Sequence, residues 1–283
     1  MKPPLAQAFP RPSVVGVVNV TPDSFSDGGE FLAPGAAVAR ARRLLDEGAA
    51  LVDVGGESTR PGSEGVSAEE ELARIEPVLE GLQGLPTSVD TSKAEVARRA
   101  LAFGAVMVND VTALRGDPAL AGVVADGDAY VCLMHMLGKP RTMQDDPCYE
   151  DVVDEVKSFL EERLEFAVEA GIPEGHICLD PGLGFGKTVD HNLELLRRLD
   201  ELASIGPPIL VGASRKRFLG RILGDPDALT GPVTAGVAVA VLAYERGASL
   251  FRVHDVREHV DALGAAKALV EGRRISVGPR TGP

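Results

Sequence analysis

Short apolar runs recur along the chain, and between them apolar residues return at three- and four-residue spacing, so extended and helical periodicities alternate. Val14 to Val20 reads as a first buried strand, followed by a helix over Ala36 to Glu47 that places Val38, Ala41 and Leu45 on one face and stops at Gly48. Leu51 to Val54 is a second strand. Ser67 and Glu70 form a capping-box pattern opening a helix with Leu72, Ile75, Leu79 and Leu82 on one side. Thr87 to Asp90 is strand three, and Ser92 with Glu95 repeats the box before Val96, Ala100 and Leu101. Strand four is Val106 to Val108, a short helix starts near Asp117, and Tyr130 to Met134 is strand five. After a Pro- and Gly-punctuated loop from His135 to about Asp151, a helix carries Val153, Val156, Leu160 and Leu164. Ile177 to Leu179 is strand six, and Leu193, Leu196, Leu199 and Leu202 mark one further helix. Ile209 to Val211 is strand seven, Val233 to Glu245 an Ala/Val-rich helix, Leu250 to Val253 strand eight, and Val256, Val260 and Leu263 a last helix.

Strict alternation of eight strands with helices implies right-handed parallel crossovers, which favour a closed (β/α)8 TIM barrel over an open doubly wound sheet. No linker or composition break divides residues 1–283, which read as a single domain. In such a barrel, catalytic groups gather at the C-terminal ends of the strands. The polar residues fall there: Asn19 after strand one, Gly55 to Gly62 with Thr59 and Arg60 after strand two, and Asp90 ending strand three. Asn109 and Asp110 end strand four, His135 strand five, and Asp180 to Lys187 strand six. Ser214, Arg215, Lys216 and Arg217 follow strand seven, and Arg252, His254 and Asp255 close strand eight. Each has a plain alternative: Asp90, Asp180 and Asp255 as helix N-caps, His135 as a core histidine, the glycines as positive-φ positions. A shared address at one end of one barrel is what those separate readings leave unexplained.

Composition narrows the ligand. With 45% hydrophobic and 25% charged residues the chain builds an ordinary core, and its net charge of −13 argues against nucleic-acid or anionic-membrane partners. The N-terminal stretch lacks the apolar region of a signal peptide, and no run approaches the roughly 20 apolar residues of a membrane span, so a cytoplasmic protein is expected. Cys132, Cys148 and Cys178 lack metal-finger spacing, two of them sit in apolar runs where a small hydrophobe would do, and buried structural thiols in a reducing compartment are expected.

An anionic substrate must therefore be held locally. Arg60, Lys216 and Arg252, with His254 beside the last, and nearby Ser and Thr donors suit phosphoryl oxygens. Asn19 and a few hydroxyls are too weak to hold Mg²⁺ tightly but suit a mostly hydrated ion brought by a substrate's phosphates. Asp90, Asn109 and Asp180 offer acceptors and an amide to a flat heterocycle with paired N–H donors, such as an amino-pyrimidinone edge.

Seven strings, in order from Asn19 to Val256, resemble the dihydropteroate synthase family: Asn19-Val-Thr-Pro-Asp-Ser-Phe-Ser-Asp-Gly-Gly29, Gly55-Gly-Glu-Ser-Thr-Arg-Pro-Gly62, Val89-Asp-Thr-Ser-Lys93, Asn109-Asp-Val111, Asp180-Pro-Gly-Leu-Gly-Phe-Gly-Lys187, Ser214-Arg-Lys216 and Arg252-Val-His-Asp-Val256. The resemblance implies a pterin-binding barrel, a homodimer, that joins 6-hydroxymethyl-7,8-dihydropterin diphosphate to 4-aminobenzoate with loss of diphosphate, requires Mg²⁺ and is a sulfonamide target. It implies a pterin pocket of Asp90, Asn109, Asp180, Lys216 and Arg252, and a diphosphate site of Asn19, Thr59, Arg60, Arg252 and His254, with Asn19 toward the metal. It implies a 4-aminobenzoate subsite of Phe25, Asp27, Pro61, Phe185 and Ser214, and catalytic roles for Asn19, Asp27, Arg60, Lys216, Arg252 and His254. Two positions depart from the family pattern: Leu183, where Phe is frequent, and Arg217, where many relatives carry Ser in the aminobenzoate subsite. A corrinoid-linked pterin methyltransferase shares the barrel and the pterin-edge acceptors but has no need of the first loop or the Arg60/Arg252/His254 group. A non-catalytic pterin or phosphate binder is the alternative of another class.

Overall fold

A computed structural model describes residues 2–21, 33–60 and 62–272. Eight parallel strands close in sequence order, because β1 (Ser13–Asn19) pairs with both β2 (Leu51–Gly55) and β8 (Ala248–Val253). Between them lie β3 (Thr87–Asp90), β4 (Met107–Asp110), β5 (Tyr130–Met134), β6 (Ile177–Asp180) and β7 (Ile209–Val211). The expected (β/α)8 barrel is the fold found.

The preceding α1 (Leu5–Ala8) is too short to carry a period, and the sequence pattern does not predict it. It closes the barrel's lower end: Leu5 and Phe9 join an interior cluster with Val15, Leu51, Met107, Cys132, Cys178, Leu210 and Leu250. The Tyr130 hydroxyl donates to the carbonyl of Pro3 at 2.7 Å, tying this segment to β5. Cys132 and Cys178, the two cysteines in apolar runs, are buried register partners within that cluster, whereas Cys148 is exposed.

The connecting helices are α2 (Pro34–Asp46), α3 (Ala68–Gly81), α4 (Ala94–Ala102), α5 (Leu120–Asp126), α6 (Val152–Glu169), α7 (Val189–Arg197), α8 (Leu199–Ala203), α9 (Arg217–Ile222), α10 (Val233–Glu245) and α11 (Val256–Val270). Their apolar faces pack on the outward residues of the strands, such as Val18, Val52, Val108, Leu179 and Phe251. Ser67 caps α3 as expected, accepting from the Glu70 amide at 3.1 Å, and Gly48 ends α2 at φ 105°.

Two local expectations fail. α4 starts after Lys93, not Ser92, and the Ala94 amide is satisfied by Asp117 at 2.8 Å from the next loop, so a tertiary contact replaces the local box. The leucine-marked helix is broken at Arg198, whose guanidinium bridges Asp151, the N-cap of α6, at 2.8 Å and Glu201 at 2.7 Å. Leu195, Leu199 and Leu202 are buried by that break, while Leu193 and Leu196 are only half-buried. Among the described residues, no helix is long and apolar enough to cross a membrane.

Candidate active site

Side chains alternate across a strand, so Arg252 shares the barrel interior with Leu250 two residues earlier, while Phe251 and Val253 join the helix layer. Arg252 reaches across the interior, its Nε 2.7 Å from Asp53 Oδ2 and its Nη2 2.7 Å from Asp90 Oδ2. Asp53, completely buried on β2, also accepts from Asn109 Nδ2 at 3.1 Å and from the Ser88 hydroxyl. The guanidinium plane is thus fixed by two carboxylates, one of which is itself fixed by two neutral donors. Burial opposes the Arg252 charge, but Asp53 and Asp90 outweigh it and hold its pKa above the ordinary arginine value. Burial pushes the Asp90 carboxyl up, with Arg252 opposing the shift, and pushes Asp180 up against Lys216.

Sequence reasoning missed Asp53 and Ser88, which lie beneath the cavity rather than at a strand end. Asp53 carried a signal all the same, since a carboxylate inside the apolar run Leu51 to Val54 demands a partner.

Asp90, Asn109, Asp180, Lys216 and Arg252 line one cavity at the C-terminal end of the barrel, together with Thr59, Phe185, Ser214 and His254. Val111 and Met134 supply an apolar wall that the sequence reading did not include, and with Met136, Met143 and Phe185 they form a small cluster. Lys216 Nζ donates to the carbonyl of Leu183 and lies 4.4 Å from the Phe185 ring centroid. Burial lowers the Lys216 ammonium to about 8, Asp180 opposing the shift. Leu183 is itself buried in the outer core, so only its carbonyl turns to Lys216. The loop needs glycine at 182, where φ is 65° and an added Cβ would stand 1.9 Å from the His135 carbonyl oxygen.

His254 and Ser214 are joined twice: the His254 amide donates to Ser214 Oγ at 3.2 Å, and Nδ1 lies 3.2 Å from the same oxygen. Burial first, then the charges of Arg252 and Arg215, push the imidazole down to about 3. His254 is therefore neutral near pH 7, a hydrogen-bonding group rather than one of the cations. Asp255 occupies the N-cap position of α11, but its carboxylate takes Arg215 in a two-pronged pair at 2.7 and 3.1 Å instead of capping the helix. That pair holds Arg215 at φ 60°, between Ser214 and Lys216.

Other expected residues lie further out. Asn19 is half-buried at the end of β1, its Oδ1 3.7 Å from where a Gly55 Cβ would stand, so that glycine keeps space open between Asn19 and Asp90. Arg60 is exposed and outside the cavity lining, as is Arg217 at the first position of α9. Phe25, Asp27 and Pro61 lie outside the described residues. Among the described residues, no group of three or more His, Cys, Asp or Glu side chains is placed to hold a metal ion. A wider surface depression near Asp151 and Asp190 is spanned by ion pairs of Arg198 with Asp151 and Glu194.

A buried set of poorly solvated carboxylates gains most from a ligand that brings paired N–H donors, and Lys216 and Arg252 beside them offer donors to its acceptor atoms. The family model described as pterin binding enzyme matches residues 15–254. The dihydropteroate synthase of Neisseria meningitidis serogroup C is 47% identical, over 92% of this chain and 93% of its own length. The solved structure of Yersinia pestis dihydropteroate synthase with a sulfonamide drug superposes with a TM-score of 0.87 at 44% identity, covering 92% of this chain and 95% of that one. That of Xanthomonas albilineans dihydropteroate synthase with 4-aminobenzoic acid gives 0.84 at 50% identity, covering 92% and 94%. With the described parts of the family's sequence strings gathered at one end of a closed barrel, the chain belongs to the dihydropteroate synthase family of pterin binding enzymes.

Proposed function

We propose that this enzyme condenses 6-hydroxymethyl-7,8-dihydropterin diphosphate with 4-aminobenzoate, giving 7,8-dihydropteroate and diphosphate. The observation that carries the reading is Arg252 clamped between Asp53 and Asp90, with Asn109, Asp180 and Lys216 lining the same cavity. Asp180 and Asp90 accept from the pterin's amino-pyrimidinone edge, while Asn109 completes the pairing. Lys216, with a lowered pKa, still donates to the ring's oxygen or nitrogen atoms.

The C–O bond to diphosphate breaks before the arylamine attacks, and the dihydropterin ring spreads the positive charge left on its methylene carbon. Charge stabilisation is then the main catalytic contribution. Thr59, Arg60 and neutral His254 donate to the departing diphosphate, and Asn19 helps orient it. Phe25, Asp27 and Pro61 from the first two loops, with Phe185 and Ser214, enclose 4-aminobenzoate, and Asp27 offsets charge developing on the attacking nitrogen.

The donor set fits Mg²⁺ only as a hydrated ion shared with the substrate: the half-buried amide of Asn19 is a single neutral ligand. When bound, the ion would neutralise charge on the diphosphate. A cytoplasmic location and a homodimer complete the proposal. The homodimer is supported by α10, apolar around most of its circumference, and by Leu242, Leu269 and Val270, which stand exposed on neighbouring α10 and α11.

The decisive assay combines purified protein, the pterin diphosphate, 4-aminobenzoate and Mg²⁺, and scores dihydropteroate. Tight binding of the pterin diphosphate without product would replace the synthase with a binder. The corrinoid-linked methyltransferase alternative gives no role to the Arg252, His254 and Thr59 side of the cavity.

A further inference from the structure

Behind the cavity wall stands a lysine that the proposed reaction does not use. Lys187 is 3% exposed, yet among the described residues it makes no ion pair. Its Nζ lies 2.8 Å from His135 Nδ1 and donates to the carbonyl oxygen of Phe185 at 3.0 Å. Burial first, then the charge of Lys216, drives its pKa well below the ordinary lysine value. Burial, with Lys187 and Arg115 adding to it, takes His135 down to about 2, so the imidazole is neutral, and with its one proton on Nε2 its Nδ1 accepts from Lys187. The His135 ring is fixed in turn, edge-on to Phe159 with centroids 4.8 Å apart.

An amine buried against neutral acceptors is expensive, and a methionine would fill the same volume at lower cost. What only the amine supplies is a donor that joins the end of β5 to one carbonyl of the loop after β6. Gly182, Gly184 and Gly186 all have φ between 65° and 79°, and side chains from outside the loop hold two of them. Gln144 Nε2 donates to the Gly184 carbonyl at 2.6 Å, the Tyr149 hydroxyl to that of Gly186 at 2.8 Å, and Asn192 Oδ1 accepts from the Gly184 amide at 2.7 Å, which leaves the carbonyls of Leu183 and Phe185 to the lysines. Lys216, which lines the cavity, takes the Leu183 carbonyl, while Lys187, outside the lining, takes that of Phe185. The segment carrying the Phe185 ring is thus clipped by two lysines, one in the cavity wall and one behind it.

We infer that Lys187, anchored by His135, is a positioning residue that sets the Phe185 ring as the wall of the second-substrate subsite. This rests on the proposed reading in one respect, that Phe185 faces the arylamine. The test uses Lys187→Met, with His135→Leu as a second variant that leaves the lysine in place but removes its anchor. Two readouts are taken: steady-state KM for each substrate, and amide hydrogen exchange in the unliganded protein, which needs no activity.

Lys187→Met is expected to raise KM for 4-aminobenzoate about tenfold while KM for the pterin diphosphate stays within about twofold. Exchange at the Gly184 and Phe185 amides should rise about tenfold, with the β2 amides unchanged. His135→Leu should move the same readouts in the same direction, about threefold. The inference is overturned if both KM values rise together with a general increase in exchange, which marks a merely structural pair, or if neither readout moves. Should wild-type protein make no dihydropteroate, the proposed activity fails on its own, and the exchange measurement alone decides whether Lys187 holds the Phe185 loop.

Discussion

Leu250 and Arg252 are two residues apart on β8 and face the same barrel interior, yet they occupy different chemical worlds. Leu250 is completely buried among Val15, Leu51 and Met107, whereas Arg252 lies between two carboxylates. The same step of two turns Leu51 into Asp53 on β2, Met107 into Asn109 on β4 and Cys178 into Asp180 on β6. The outward residues beside them, Val52, Val108, Leu179 and Phe251, stay apolar and pack on the helices throughout. One pleat therefore separates a packed floor from a site, on one face only. The floor also excludes water from below, which strengthens each charge–charge contact above it.

The sharpest way to break this comparison is to remove the charge and then the apolar group from the same strand. Arg252→Ala would leave Asp53 and Asp90 buried and facing each other, the situation in which a broken ion pair costs most. We expect kcat/KM to fall about a thousandfold, about 4 kcal/mol, in steady-state assays. Activity within about tenfold of wild type, about 1.4 kcal/mol, would remove Arg252 from the centre of the mechanism. Leu250→Ala should do the reverse: a loss of about 3 kcal/mol in urea denaturation from the cavity it leaves, with kcat of the folded protein within about twofold. A parallel collapse of kcat would mean that floor and site are not separable.

The alternation that builds this division was legible in the sequence, because eight strands and their helices are periodic and each period is punctuated. Strand-end groups were legible for the same reason: Asp90, Asn109, Asp180, Lys216 and Arg252 needed only the barrel to bring them together. What was not legible depends on contacts between distant segments. The cap of α4 comes from Asp117, the break before α8 answers to Asp151, and α1 is held by burial of Leu5 and Phe9 and by the hydrogen bond of Tyr130 to Pro3. The protonation of His254 was not legible either, since burial together with its neighbour Arg252 makes it neutral. Asp53 was hidden by its setting, one carboxylate in a strand otherwise read as core.

Burial of bases at the upper end gives a smaller effect with a definite sign. His135 has its pKa lowered from an ordinary 6.5 to about 2 in the folded chain. Above pH 6.5 it is neutral in both states and contributes nothing to the pH dependence. As pH falls below 6.5 the unfolded chain takes up the proton and the folded one does not, so stability drops, by about 2 kcal/mol at pH 5. Asp90 and Asp180, whose carboxyls are raised, work in the opposite direction, and His254 in the same one. The measurement is therefore a difference: denaturation of wild type and His135→Gln at pH 7 and pH 5. The variant should lose less by that margin, and equal losses would show that the buried imidazole does not carry this pH dependence.

The boundary between floor and site is finest at Ser88, which is 1% exposed and is the register partner of Asp53. Its hydroxyl donates to Asp53 Oδ1, while Oδ2 serves Arg252 and Asn109, so removing it loosens the carboxylate without touching either of those residues. Ser88→Ala should cost about 1.5 kcal/mol of stability, the loss of one hydrogen bond to a buried charged acceptor. If Ser88 belonged to the floor, that would be the whole effect, as with Leu250→Ala. Because Asp53 orients the guanidinium that the proposed mechanism relies on, KM for the pterin diphosphate should also rise about threefold, with KM for 4-aminobenzoate unchanged. A stability loss with both KM values at wild type would move the boundary up by one layer, and Asp53 would then be ballast for the charge of Arg252 rather than its guide.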